Sequence, residues 1–200
     1  LSQVRVQLSR EVVLAAAAAQ AQEGGLDSVS SRTLAARLGV TPMALYRHVR
    51  DMDEIVAALV DGLLVTVGLP DPGLDWGEWL ERAAWSLRDL FLEYPRALGL
   101  FNRQPVTTEA ARARLGAAVD VLARSGFTAG DATRAYAAVH TYTIGFCSLE
   151  AGRRRAPASS DSGDAPDDLG RVIRDFVTEE QFRFGLRALV AGLEPETANH

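Results

Sequence analysis

The 200 residues (21.5 kDa) are 48% hydrophobic and 24% charged, enough chain and apolar content to bury a core, which excludes a wholly disordered protein. One cysteine excludes an intramolecular disulfide framework, and no apolar run reaches the ~18 residues a membrane span needs. The net charge of −5 is uneven: residues 1–50 hold six arginines against three acids, a local positive surplus on an otherwise acidic chain that has no lysine.

Helical 3.6-residue periodicity runs through the chain and strand alternation is nearly absent, so the expected class is all-α with roughly nine or ten helices. A first helix is expected over residues 9–23, capped by Ser9, stopped by Gly24 and Gly25, with Val12, Val13, Ala16, Ala19 and Gln20 inward. A short second helix covers 31–38 and stops at Gly39. A third runs 41–49, since Thr41 before Pro42 is a helix start. Asp51 caps a fourth that carries Ile55, Val56, Leu59, Val60, Leu63 and Leu64, and breakers from Pro70 to Gly73 follow it.

Further helices are expected over 75–93, in a short segment ending at Gln104–Pro105, and over 107–125, 130–155 and 178–193. Residues 156–168 are small, polar and proline-containing, so a mobile loop is expected there. Two domains follow from this order: 1–50, and 51–200 with 51–67 as connector. Nothing at the start pairs a basic region with a cleavable apolar segment, so a cytoplasmic protein is expected.

Residues 31–49 carry the chemistry. Two short helices meet at Gly39, with Leu34, Ala35, Leu38, Val40, Leu45 and Val49 inward, which is helix-turn-helix spacing. The second helix of such a unit enters the major groove. Its outward start offers Thr41 for a base or phosphate, and Pro42, Met43 and Ala44 for apolar contact with a thymine methyl. Tyr46, Arg47 and His48 suit phosphate oxygens, and Arg32 suits a guanine edge or the backbone. The same two-helix pattern also occurs in helical interaction proteins that bind no DNA. Both readings stand at this level.

The stretch over 26–64, with its core of Leu38, Gly39, Val40, Leu45, Tyr46, His48 and Val49, resembles the N-terminal domain of TetR-family transcriptional regulators. Ala138–Val139 through Gly145 to Leu149–Glu150, and Phe182 to Glu194, resemble the tetracycline-repressor-like subgroup. The resemblance implies a homodimer that binds a palindromic double-stranded operator and releases it on binding a small-molecule effector. It implies base-facing positions at Arg32, Thr41, Pro42, Met43 and Ala44, and phosphate-facing ones at Tyr46 and His48. Met52 departs from the lysine that the subgroup places there.

In the larger domain, Tyr136, Val139, Thr143, Phe146, Cys147 and Leu149 share one helix face, and Phe182, Leu186, Leu189, Val190 and Leu193 another. The family pattern makes such helices a dimer interface. Expected ligand-facing residues are Trp85, Leu98, Phe101, Asn102, Arg103, His140, Thr143 and Phe146, although aromatics and a lone histidine at such spacing also serve as plain core. The subgroup's metal-binding histidine is missing beside Phe101 and Asn102, its drug-holding asparagine corresponds to Ala83, and only Glu150 matches a metal-site member. Neither metal nor cofactor is therefore expected, and the ligand should be less polar than a tetracycline–magnesium chelate. No G-x-S-x-G, H-E-x-x-H or P-loop pattern occurs, so no enzyme is expected.

Overall fold

A computed structural model describes residues 7–103, 108–155 and 176–194, with the side chains of Arg103, Arg154 and Arg155 outside the description. The expected break at Gln104–Pro105 and the loop over 156–168 lie outside the described residues. The described elements are helical: α1 (Arg10–Gly24), a 3-10 turn (Leu26–Ser28), α2 (Ser31–Leu38), α3 (Pro42–Leu45) and α4 (Met52–Val67). Then come α5 (Trp76–Glu93), α6 (Pro95–Arg103), α7 (Glu109–Arg124), α8 (Ala129–Arg155) and α9 (Glu179–Ala191).

Side-chain caps set most of the starts. Ser9 accepts from Val12 N at 3.3 Å, Thr108 from Ala111 N at 3.4 Å and Thr178 from Gln181 N at 3.2 Å. Asp51 accepts from Glu54 N at 2.8 Å, while Glu54 reaches back to Arg50 N at 2.8 Å and accepts from Arg10 Nε at 2.7 Å. This box joins α4 to the start of α1.

Three apolar clusters follow the chain. The first packs Val13, Ala17, Val29, Leu34, Leu45 and Ile55 among α1 to α4. The second joins Val56, Val60 and Leu64 of α4 to Phe91 of α5 and to Leu98 and Leu100 of α6. The third sets Trp79 and Leu80 of α5 against α7, α8 and α9. Neighbouring residues Ile55 and Val56 enter different clusters, so α4 is core for both ends of the molecule.

The structure corrects two expectations. On α1 the buried residues are Val13 and Ala17, with Val12, Ala16 and Ala19 only part-buried. A near-continuous alanine run has no periodicity of its own, so the partner elements choose the face. Gln20 donates to Ser28 O at 2.6 Å, which ties α1 to the 3-10 turn. The third helix is regular only over Pro42–Leu45, then tightens: His48 N bonds Leu45 O at 2.9 Å, a three-residue span.

The α8–α9 crossing is close at one point. A Cβ on Gly185 would lie 2.3 Å from the Tyr142 hydroxyl, which donates to Phe182 O at 3.0 Å. Only glycine leaves room for that ring.

Candidate nucleic-acid interface and ligand site

The α2–α3 unit is built from local rules. Ser30 accepts from Thr33 N at 3.2 Å and Thr33 Oγ1 accepts from Ser30 N at 3.0 Å, a reciprocal cap that starts α2. Gly39 ends it at φ +65° and ψ +33°, the left-handed region a side chain resists. Val40 N then bonds Ala35 O at 3.0 Å, which fixes the angle at which the chain leaves. Leu34, Ala35, Leu45 and Val49 are buried, and Leu38 and Val40 pack against them.

With that face inward, the opposite one is free. Arg32, Thr41, Pro42 and Arg47 are exposed, Met43 is 72% exposed and Tyr46 40%. Ala44 and His48 are part-buried. Thr41 precedes α3 without spending its hydroxyl on a cap. Arg10, Arg37 and Arg50 are paired with Glu54, Glu23 and Asp51. Arg32 and Arg47 make no ion pair among the described residues, so both guanidinium groups stand open beside the exposed apolar ridge.

The ligand candidates fall into two groups. Phe101 lies 5.0 Å from Phe91 and 5.9 Å from His140, whose ring stacks on Tyr136 at 5.6 Å. Leu98 is buried in the second cluster, and Asn102 donates to Ser148 Oγ at 2.9 Å. Arg103 ends α6; its side chain lies outside the described residues. The other group surrounds Phe182: Trp85 meets it edge-on at 4.9 Å and Phe146 at 5.2 Å. Thr143 is wholly buried, its hydroxyl donating to Val139 O at 2.8 Å.

Several residues of consequence carried no separate signal in the sequence. Arg88 is buried, donates from Nη2 to both Glu150 oxygens at 3.1 Å, and lies 5.3 Å from the Trp85 and Phe182 rings. Glu150, matched above to a metal ligand, thus faces an internal cation. Arg114 of α7 donates to Gly68 O, the carbonyl that ends α4, at 2.6 Å. Arg96 of α6 donates to Leu26 O at 2.9 Å and also to Val29 O. The one available sign was an arginine at an inward slot: 110, 114, 118 and 121 share the buried face of α7.

Burial shapes the titration here. It pushes His140 below its ordinary 6.5, helped by the Arg114 charge, and it raises the Tyr136 phenol against that same charge. Burial also drives the Cys147 thiol up to about 12, which makes it a small apolar filler rather than a nucleophile. Among the described residues, no three His, Cys, Asp or Glu side chains gather as a metal site needs.

Residues 13–59 match the family of bacterial regulatory proteins of the tetR type, and residues 69–197 match the tetracyclin repressor-like C-terminal domain. The second match alone spans more than half the chain. The chain belongs to the TetR family. An HTH-type transcriptional regulator from Saccharopolyspora erythraea is 29% identical, over 96% of this chain and 90% of its own. A TetR variant from Acinetobacter baumannii AYE, solved in complex with minocycline, is 29% identical at a TM-score of 0.66, covering 93% of this chain and 96% of that one. BioQ with its double-stranded DNA operator is 27% identical at a TM-score of 0.65, covering 94% and 98%.

This TetR-family protein is therefore a DNA-binding transcriptional regulator of helix-turn-helix type with an effector-type C-terminal domain, in a family of regulators rather than catalysts. No helix among its described residues is long and apolar enough to cross a membrane.

Proposed function

We propose that the protein is a cytoplasmic homodimeric repressor that grips a palindromic operator and lets go when a small molecule enters its body. Residues 1–50 act as the reading head and 51–200 as the effector and dimer body, linked by α4. The observation that carries this reading is the exposed ridge of Thr41, Pro42, Met43 and Tyr46, backed by buried Leu45 and flanked by Arg32 and Arg47, which make no ion pair among the described residues. Ala44 and His48 complete the contact surface. Apolar residues held outward, with free cations beside them, suit base edges and phosphates together.

The dimer reading rests on α8 and α9, which leave Leu149 63% and Phe184 69% exposed. Covering such side chains with a second copy sets two heads facing one duplex, about 34–36 Å apart in successive major grooves. The effector is held by Trp85, Leu98, Phe101, Asn102, Arg103, His140, Thr143 and Phe146. It shifts the heads only as far as its affinity for the two arrangements differs.

The test starts from operator selection out of a random duplex pool. The expected operator is palindromic, and binding weakens steeply with salt as phosphate contacts release counterions. Arg32→Ala and Tyr46→Ala are expected to weaken it by about tenfold or more while thermal stability and dimer mass hold. Salt-insensitive binding, or loss of folding in both variants, would instead support an interaction module that packs this face.

A further inference from the structure

Among the described residues, two arginines are buried in the body, and they are treated differently. Arg88, 5% exposed, has the Glu150 carboxylate. Arg114, 4% exposed, has none among the described residues. Its Nη1 donates to Gly68 O at 2.6 Å, and its Nη2 to Ser86 Oγ at 3.0 Å and Ala83 O at 3.4 Å. The remaining neighbour is the Tyr136 phenol. All of these partners are neutral. They satisfy donors but leave a full positive charge inside the protein, since guanidinium does not give up its proton.

The surroundings of that charge are unfinished in a second way. Tyr136 stacks on His140 with ring centroids 5.6 Å apart and planes 24° apart, and Phe101 lies tilted to the same imidazole at 5.9 Å. His140 Nδ1 is buried and has no hydrogen-bond partner among the described residues. An uncompensated cation, a phenol and an orphaned imidazole nitrogen thus gather between aromatic walls. The cation lacks a counter-charge and the imidazole nitrogen a partner, and a single ligand group supplies both.

We propose that Arg114, Tyr136 and His140 form the subsite for a carboxylate carried by an aromatic effector. The inference rests on the effector-released reading above and names the chemistry of its ligand. The anion takes the charge-assisted hydrogen bond that neutral partners hold weakly. It also competes for a guanidinium that grips Gly68 O, so the end of α4 is let go as the ligand enters. Asp61 Oδ1, which accepts from Ala110 N at 2.8 Å, keeps the start of α7 on α4 and localises the release to that end.

The experiment is calorimetric titration of the full chain with a panel of one- to three-ring aromatic carboxylates, each against its neutral amide. At least one acid should bind about tenfold or more tighter than its amide, the usual advantage of an ionic over a neutral hydrogen bond. Arg114→Gln keeps donors but removes the charge and should erase that preference, with circular dichroism confirming the fold; Arg114→Lys keeps the charge and should retain part of it. No acid preferred over its amide, or a preference that survives Arg114→Gln, overturns the proposal. Should Arg114→Gln not fold, loss of the preference in His140→Phe together with its survival in Arg114→Lys supports the site, and its survival in His140→Phe overturns it. The two readings fail separately. Operator binding without acid preference sinks the subsite alone, and acid binding that leaves operator affinity unchanged sinks the release mechanism alone.

Discussion

The head and the body solve opposite problems with the same helices. The described core of the head is wholly apolar, from Val13 and Leu34 to Leu45 and Ile55, and its ion pairs, Arg10–Glu54, Arg37–Glu23 and Arg50–Asp51, sit outside that core. The body buries Arg88, Arg114, Thr143 and Glu150. A reading head needs one rigid shape, which an apolar core and good caps supply. A body that must answer a ligand needs internal polar groups whose partners can change, and such groups hold less firmly when a partner is lost.

The sharpest test of that contrast is to orphan a buried charge. Glu150→Ala leaves Arg88 without its carboxylate and should cost about 3–5 kcal/mol of unfolding free energy in urea melts. Replacing both, Arg88→Met with Glu150→Leu, should cost far less, because neither member of that pair is then left charged without its partner. The head should respond to volume instead. Leu45→Ala at a fully buried site is expected to cost about 2–5 kcal/mol, read as loss of hydrogen-exchange protection from α1 to α3. Gly39→Ala has open space for its Cβ, so only the left-handed backbone opposes it, at about 1–2 kcal/mol by thermal melt.

Acid should separate the two regions by onset. His140 titrates below its ordinary 6.5 in the folded body. As pH falls below 6.5 the unfolded chain takes a proton that the folded one refuses, so body stability declines from there, and His140→Phe removes that slope. In the head, hydrogen bonds from Arg50, Arg37 and the Arg50 backbone N–H hold Asp51, Glu23 and Glu54 below their ordinary 3.8 and 4.5. Their contribution is present above those values and is lost only as pH falls further, through the folded ones. Region-resolved hydrogen exchange from pH 7 to 3 should show the body loosening first; simultaneous loss would erase the distinction.

How legible this was depended on whether a feature was local. Ser9, Asp51 and Gly39 act within four residues of themselves, so the starts of α1 and α4 and the stop of α2 could be read directly. The outward set at α3 followed from the inward one, because Leu45 and Val49 fix the face. The alanine run of α1 has no apolar period, and its face was set by distant partners. Arg88 and Arg96 look like ordinary surface arginines, and Arg114 differs only by its inward slot on α7, until tertiary packing brings a carboxylate or a backbone carbonyl to them. The tightening after Leu45 was hidden because composition does not distinguish a regular turn from a shortened one.

The grip of Arg96 on Leu26 and Val29 gives the two halves a tether that bypasses the covalent path through α4. A part fastened at two places off one line cannot pivot freely. Any swing of the reader must either snap this side-chain strap or drag α6 along, so α6, which also carries Phe101 and Asn102, is pulled whenever the reader turns.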